Sequence, residues 1–249
     1  YQELERINVS IRNGEFQKND ILLHSLSYAK ESNKSLHLMG LVSDGGVHSH
    51  IDHLKAITTL CKEKNIENVF IHAFTDGRDT DPKSGLNFLK DLQEHLVKTT
   101  GKIATVTGRY YAMDRDRRWE RVKIAYDALC HRTGEITTDI FSAVESSYQK
   151  DVTDEFLLPI INAGTPESCI KNGDAVICFN FRTDRCREIT EALTQTAFPE
   201  LGMEPLQLDY TTMTLYDHKF KNIRVIFQKD DLINTLGEVL AQNHKNQIR

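Results

Sequence analysis

Four short polar clusters carry the residues of this chain best suited to chemistry: Ser43–His50 (SDGGVHSH), Thr75–Thr80 (TDGRDT), Gly108–Asp116 (GRYYAMDRD) and Phe181–Arg185 (FRTDR). Three of them contain arginine: Arg78, then Arg109 and Arg115, then Arg182 and Arg185. A guanidinium is a rigid fork of donors that fits phosphate or carboxylate through two parallel hydrogen bonds. Several such forks delivered by separate loops suit a small, multiply charged anion. For any single arginine the competing reading is structural, an ion pair with a nearby aspartate that braces its own loop. Recurrence across three clusters favours the anion.

The first cluster adds paired glycines, Gly45 and Gly46, ahead of a helix start whose free amides favour anions. It lacks the GxxxxGK[ST] spacing of a nucleotide P-loop, and no GxGxxG is present, so a nucleotide ligand gains no support. His48, inside the loop, suits contact with substrate as a donor or acid/base. His50 and His53 could share a helical face with Asp44 and Asp52 nearby, which raises a metal reading. The ordinary reading is a capped helix start with His53 in solvent, and no metal ligand is assigned. No GxSxG elbow occurs, and neither Ser43 nor Ser49 sits in a nucleophile pattern, so the site is expected to bind rather than attack.

Each cluster follows an apolar run that reads as a buried strand: Ser35 to Val42, Val69 to Phe74, Ile103 to Thr107 and Ala175 to Phe179. Amphipathic stretches alternate with these runs. Leu4, Ile7 and Ile11 open a helical entry, and Asn19 or Asp20 can cap a second helix. Further helices are expected over Ser49–Lys64, after Asp81-Pro82 (Leu86, Leu89, Leu92 and Leu96 on one face), over Trp119–Cys130, over Ile140–Gln149 and near Asp184. Trp119 and Tyr126 read as packing residues; Tyr110 and Tyr111 are open between packing and contact. Strands at Tyr210–Tyr216 and Arg224–Phe227 precede a closing helix on Leu232, Ile233, Leu236, Val239 and Leu240. The rhythm predicts an α/β fold: three αβα layers around a mixed, largely parallel sheet, with helical extensions at both ends. One domain over 1–249 is expected, with 1–32 and 228–249 as helical or hinge extensions.

The 249 residues are 39% hydrophobic, enough for a substantial core. A net charge of −5 argues against general nucleic-acid binding. Five scattered cysteines with no CxxC pair read as reduced thiols of a cytoplasmic protein. No apolar run of membrane-spanning length and no signal-peptide pattern occurs. The opening on Tyr1 without methionine, and the stop at Arg249 within an amphipathic stretch, suggest an excised piece.

Taken in order, LVSDGGVHSH (41–50), DGRDT (76–80), GRYYAMDRDRRWERV (108–122), AVESSY (143–148), VTDEF (152–156) and FNFRTDR (179–185) resemble the substrate domain of cofactor-independent phosphoglycerate mutases. The likeness covers nearly the whole chain. It implies interconversion of 3-phosphoglycerate and 2-phosphoglycerate through a phosphoserine, with the serine and two manganese ions on a phosphatase-like domain absent from this chain. It further implies the serine motif shortly before Tyr1, the returning chain after Arg249, and substrate contacts from His48, Arg78, Asp79, Arg109, Arg115, Arg182 and Arg185. Alone, this half is expected to be inactive and to carry no cofactor. Thr183 departs from the proline or alanine of many relatives, a change of loop stiffness rather than chemistry. A stand-alone module for small phosphate or carboxylate anions is the alternative.

Overall fold

A computed structural model describes residues 3–228 and 236–246. The chain runs α1 (Glu3–Arg12), α2 (Asp20–Glu31), β1 (Leu36–Leu41), α3 (Ile51–Glu63), β2 (Val69–Thr75), α4 (Gly85–Lys98), β3 (Lys102–Gly108), α5 (Arg109–Ala112), α6 (Trp119–His131), β4 (Glu135–Thr137) and α7 (Ile140–Gln149). It continues with β5 (Ile160–Asn162), β6 (Ala175–Cys178), α8 (Arg187–Thr194), β7 (Asp209–Thr214), β8 (Ile223–Phe227) and α9 (Leu236–Gln242). The strands form one sheet in the order β4-β5-β3-β2-β1-β6-β7-β8.

All six residues of β1 and all seven of β2 are buried. Such strands, covered on both faces, read as unbroken apolar runs rather than alternating ones. Successive side chains still point to opposite faces. Leu36 and Leu38 join a core with α2, α3, α4 and α7, whereas Met39 and Leu41 join a second core with α6 and α8. Ala175 and Ile177 of β6 face the first core, and Val176 and Cys178 the second. This is the three-layer αβα arrangement expected. Trp119 packs on Phe198 with ring centroids 4.1 Å apart, and Tyr126 is buried, so both are packing residues.

A row of polar side chains crosses the buried sheet. His37 Nδ1 lies 3.0 Å from His72 Nε2, and His72 Nδ1 lies 3.0 Å from Thr105 Oγ1, linking β1, β2 and β3. Burial lowers both imidazole pKa values, so the rings are neutral and each alternates donor and acceptor along the row.

Several elements differ from their expected bounds. The short strands β4 and β5 pair parallel to each other, and β5 runs antiparallel to β3. Three residues each, they carry too little pattern to be read. Helix α8 starts at Arg187 because 182–186 are spent in bends and turns. Leu232 and Ile233 of the expected closing helix lie outside the described residues; α9 carries Leu236, Val239 and Leu240. His53 is fully buried rather than solvated, its Nε2 2.9 Å from Asn8 Oδ1. The helix α1 covers that face of α3 and removes water from it. All five cysteines are free thiols.

Of the two candidate caps for α2, Asn19 serves: its Oδ1 accepts from the Ile21 and Leu22 amides, each at 3.0 Å. Its Nδ2 also donates to Ile226 O at 3.2 Å, tying the helix start to β8. Asn19→Ala should cost about 1–2 kcal/mol, read as a lower urea midpoint at unchanged m. An unchanged midpoint would show that the cap contributes nothing.

Candidate functional site

Four of the strands, β3, β2, β1 and β6, are adjacent and parallel. Their C-terminal ends therefore release the four polar clusters side by side on one rim. From β1 the chain winds outward through β2 to β3, then returns to the other side of β1 for β6, β7 and β8. In open α/β sheets, ligands bind at such a reversal, beyond the carboxyl ends of the strands. The loops flanking the reversal are tied together. His48 O accepts from the Phe181 amide at 2.8 Å and the Arg182 amide at 3.2 Å, and Asn180 Oδ1 accepts from the Leu41 amide at 2.9 Å. Glycine is required within β1 for this: a Cβ on Gly40 would stand 2.7 Å from Asn180 Oδ1.

Beside the reversal, Arg109 is buried and bridges two carboxylates. Its Nη1 donates to Asp76 Oδ1 and to Asp79 Oδ2, both at 2.6 Å. Asp76 is buried too; its Oδ2 accepts from Ser43 Oγ at 2.7 Å, and its Oδ1 from the Asp79 amide at 3.0 Å. Burial alone would raise the Asp76 carboxyl. The Asp79 amide, the Ser43 hydroxyl and the Arg109 charge outweigh it and hold the group below the usual carboxylate range.

Asp184 is the second hub. Its Oδ2 accepts from Arg115 Nη1 at 2.8 Å, and its Oδ1 lies 3.1 Å from Arg182 Nε. Buried His48 stands between the hubs, with Nε2 3.5 Å from Asp79 Oδ2 and Nδ1 3.7 Å from Asp184 Oδ1. Burial, followed by the Arg109 charge, overrides the attraction of Asp184 and Asp79 and lowers the His48 pKa to about 4. At neutral pH the ring is uncharged, with one donor and one acceptor nitrogen.

His48, Asp79, Arg109, Arg115 and Arg182 are thus joined through Asp76 and Asp184. Arg78 is half-exposed and turned towards Glu155, Nη1 to Oε1 3.4 Å. Glu155 is placed by the 154–157 segment, which crosses the end of β3 closely enough that a Cβ on Gly108 would stand 2.4 Å from its carbonyl oxygen. Arg185 donates Nη1 to Met113 O at 3.3 Å, while its Nε is buried with no hydrogen-bond partner. Burial lowers its pKa, and repulsion from Arg115, Arg109 and Arg78 lowers it further. Arg185 thus lies in the field of cations from the other loops, only partly offset by Asp184. Tyr110, left open by the sequence, has the Arg121 guanidinium 3.9 Å over its ring.

The reading of the sequence missed the carboxylates that organise these cations: Asp76, Asp184 and Glu155. All lie inside quoted motifs. The signal that could have found Asp76 is that a buried arginine, Arg109, needs a counter-charge, and Asp76 ends the neighbouring strand; Arg78, Arg115 and Arg182 are half-exposed and impose no such demand, so Glu155 and Asp184 gave no signal. Among the described residues no group of three or more His, Cys, Asp or Glu could hold a metal ion, and no helix is long and apolar enough to cross a membrane.

Fold and rim together define a doubly wound α/β domain with an arginine-rich polar site at its switch point. Residues 7–218 match the family described as BPG-independent PGAM N-terminus, and the chain belongs to that family. It is 52% identical over 249 residues to the 2,3-bisphosphoglycerate-independent phosphoglycerate mutase of Bacteroides fragilis, covering 100% of this chain and 49% of that protein. The enzyme of the same name from Flavobacterium johnsoniae is 50% identical over 252 residues, covering 100% of this chain and 50% of that protein. A crystal structure of Leishmania mexicana phosphoglycerate mutase at low cobalt concentration superimposes with a TM-score of 0.85 at 27% identity, over 98% of this chain and 47% of that one. The chain spans about half the length of the curated relatives it matches.

Proposed function

We propose that this chain is the substrate-holding half of a phosphoglycerate mutase that interconverts 3-phosphoglycerate and 2-phosphoglycerate through a phosphoserine. The observation that carries this reading is that Arg109, Arg115 and Arg182, from separate loops, are drawn together through Asp79, His48 and Asp184, with the Arg185 Nε of the same rim buried and unpartnered. Cations held this close repel one another, and a phosphate or carboxylate placed among them relieves that repulsion. The phosphate and carboxylate of a phosphoglycerate supply both anionic groups. Asp79 accepts from a glycerate hydroxyl, and neutral His48 can accept from or donate to one. Their share in the work is to neutralise, orient and retain the glycerate while its phosphoryl group is elsewhere. Retention makes reattachment effectively unimolecular, which lowers a barrier by roughly 7–11 kcal/mol in favourable cases.

The serine and two manganese ions are assigned to the other half, a phosphatase-like domain joined in cis. No described cluster on this chain fits a metal. In this reading residues 1–249 form one substrate-binding unit, with 1–32 and 228–249 as its hinge segments, and the enzyme works in the cytoplasm without nucleic-acid or membrane partners. This half alone turns over no substrate.

The test is titration of 3-phosphoglycerate into the chain, followed by NMR, beside an Arg182→Ala, Arg185→Ala variant at matched salt. Saturable shifts in the four loops are expected, and the variant should weaken binding at least tenfold, as loss of charge-assisted hydrogen bonds implies. Shifts that persist unchanged in the variant would place the anion elsewhere.

A further inference from the structure

Beneath the arginine rim, the 113–118 loop rests on two buried carboxyls that the site itself does not use. Asp114 and Glu188 are 3% and 6% exposed, although ionised side chains are rarely so deeply covered without a cation. Asp114 Oδ2 accepts from the Asp116 amide at 2.9 Å and the Arg118 amide at 3.0 Å. Glu188, on α8, accepts the Arg117 amide on Oε1 at 2.9 Å. Three consecutive alternating amides of one turn are thereby shared by two carboxyls, across a left-handed Arg117 at φ +55°. Such a backbone conformation in a residue with a side chain is kept only where its surroundings hold it. The residue presented at the top of this turn is Arg115.

We propose that Glu188 is a positioning residue for the site: together with Asp114 it fixes the 113–118 turn, and so holds Arg115 where a substrate anion needs it. The inference rests on the mutase reading given above. Glu188 Oε2 is buried and has no donor among the protein groups. Bonding successive amides of one turn brings the two buried carboxyls side by side, and one proton shared between them relieves their repulsion. That proton supplies the missing donor.

The charges around the pair decide when it is kept. Burial, and then the neighbouring Asp114 and Asp116, raise Glu188 to about 7, against the Arg117 amide, which lowers it. On the Asp114 side, burial is outweighed by the Arg118 and Asp116 amides, the bond to Glu188 and the Arg121 charge, with Arg121 Nη1 on α6 3.5 Å from Asp114 Oδ1. Arg121 faces Asp114, and one such cation does not neutralise two acids. Below pH 7 the shared proton locks the turn; above it, two adjacent carboxylates repel and the turn loosens. Arg115 also pairs with Asp184, so loosening acts on the second hub as well.

Glu188→Gln keeps the volume, an acceptor for Arg117 and a permanent donor for Asp114. The 3-phosphoglycerate affinity of the chain is measured from pH 6 to 8.5 for wild type, Glu188→Gln and Glu188→Ala, with the Arg115–Arg118 amide shifts followed in parallel without ligand. Comparing variants at each pH cancels the titration of the ligand itself. The wild type is expected to lose roughly tenfold in affinity relative to Glu188→Gln above pH 7, its loop amides moving on the same curve. In Glu188→Gln the amides should be flat, and Glu188→Ala should bind weakly at every pH. Identical pH profiles for wild type and Glu188→Gln would overturn the proposal, even if Glu188→Ala fails to fold. Absence of binding by every form overturns the reading of this half as a preformed substrate site, while the ligand-free amide curves still decide on the pair.

Discussion

Replacement of Arg109 by alanine should remove about 3–5 kcal/mol of stability, together with all measurable affinity for a phosphoglycerate. Arg109 Nη1 bridges Asp76 and Asp79, and two of these three side chains are sealed from water. Without the guanidinium, two carboxylates of one turn, Asp76 and Asp79, are left side by side with no cation between them. The cost is a large part of the 5–15 kcal/mol that holds an ordinary domain together. Urea unfolding at neutral pH measures it. A triple variant, Arg109→Ala with Asp76→Asn and Asp79→Asn, should regain part of the stability and none of the affinity, which separates the two roles. Arg109→Lys keeps charge but loses the planar fork and should fall between. A loss below about 1 kcal/mol in Arg109→Ala would mean that the buried pairing is energetically idle.

Acid should weaken the fold well before the carboxylates titrate. His53 is pushed down to about 3 by burial and then by His50, and His48 to about 4. For His53 the reason is visible: Nε2–H donates to Asn8, while Nδ1 is buried with no partner, so a second proton would have no acceptor. A histidine whose folded pKa is depressed contributes stability that is complete above the unfolded value, near 6.5, and drains away as pH falls towards the folded one. Between pH 6.5 and 5 each of these two groups removes about 2 kcal/mol. His37 and His72 act in the same direction. Glu188 acts oppositely, because a raised carboxyl favours the folded state as pH falls from 7, and it offsets part of the loss. Urea midpoints from pH 7.5 to 5 should therefore decline. In His53→Gln the decline should be shallower by about 1.4 kcal/mol per pH unit below pH 6. A slope unchanged in that variant would show that His53 takes up its proton in the folded state.

These two expectations rest on features of unequal visibility in the sequence. The strands that carry the rim were legible because burial on both faces leaves unbroken apolar runs, as in Leu36–Leu41 and Val69–Thr75. Their largely parallel pairing followed from the βαβ rhythm, and the gathering of the polar clusters on one rim from their places after the strands; the strand order was not legible, because nothing local in the chain says that β6 returns to the far side of β1. Strands β4 and β5 were not legible: Glu135 and Ile136 are exposed, and three residues carry no period. Their pairing is set by Gly134 and Pro159, which meet too closely for a side chain at 134. At the rim the cations were legible by residue type, whereas their counter-ions were not. Asp76 and Asp184 look like turn residues until the fold brings Arg109 from the neighbouring strand to the first and Arg115, from beyond two intervening strands of the rim, to the second. His53 was misplaced for a related reason. Its own helix leaves it open, and segments distant in sequence, α1 through Asn8 and the loop after β6 through Phe181, cover it.

The row His37–His72–Thr105 constrains how this chain can drift over evolutionary time. Each member supplies the partner of the next inside a sheet that water does not reach, so a lone change to an apolar residue strands a neighbour. Such a change is unfit as an intermediate, while three apolar residues together would be acceptable if Asp174, 3.4 Å from His37 Nε2, changes with them. Related chains should therefore carry the row whole or not at all, and the three positions should covary as one character although they lie on different strands.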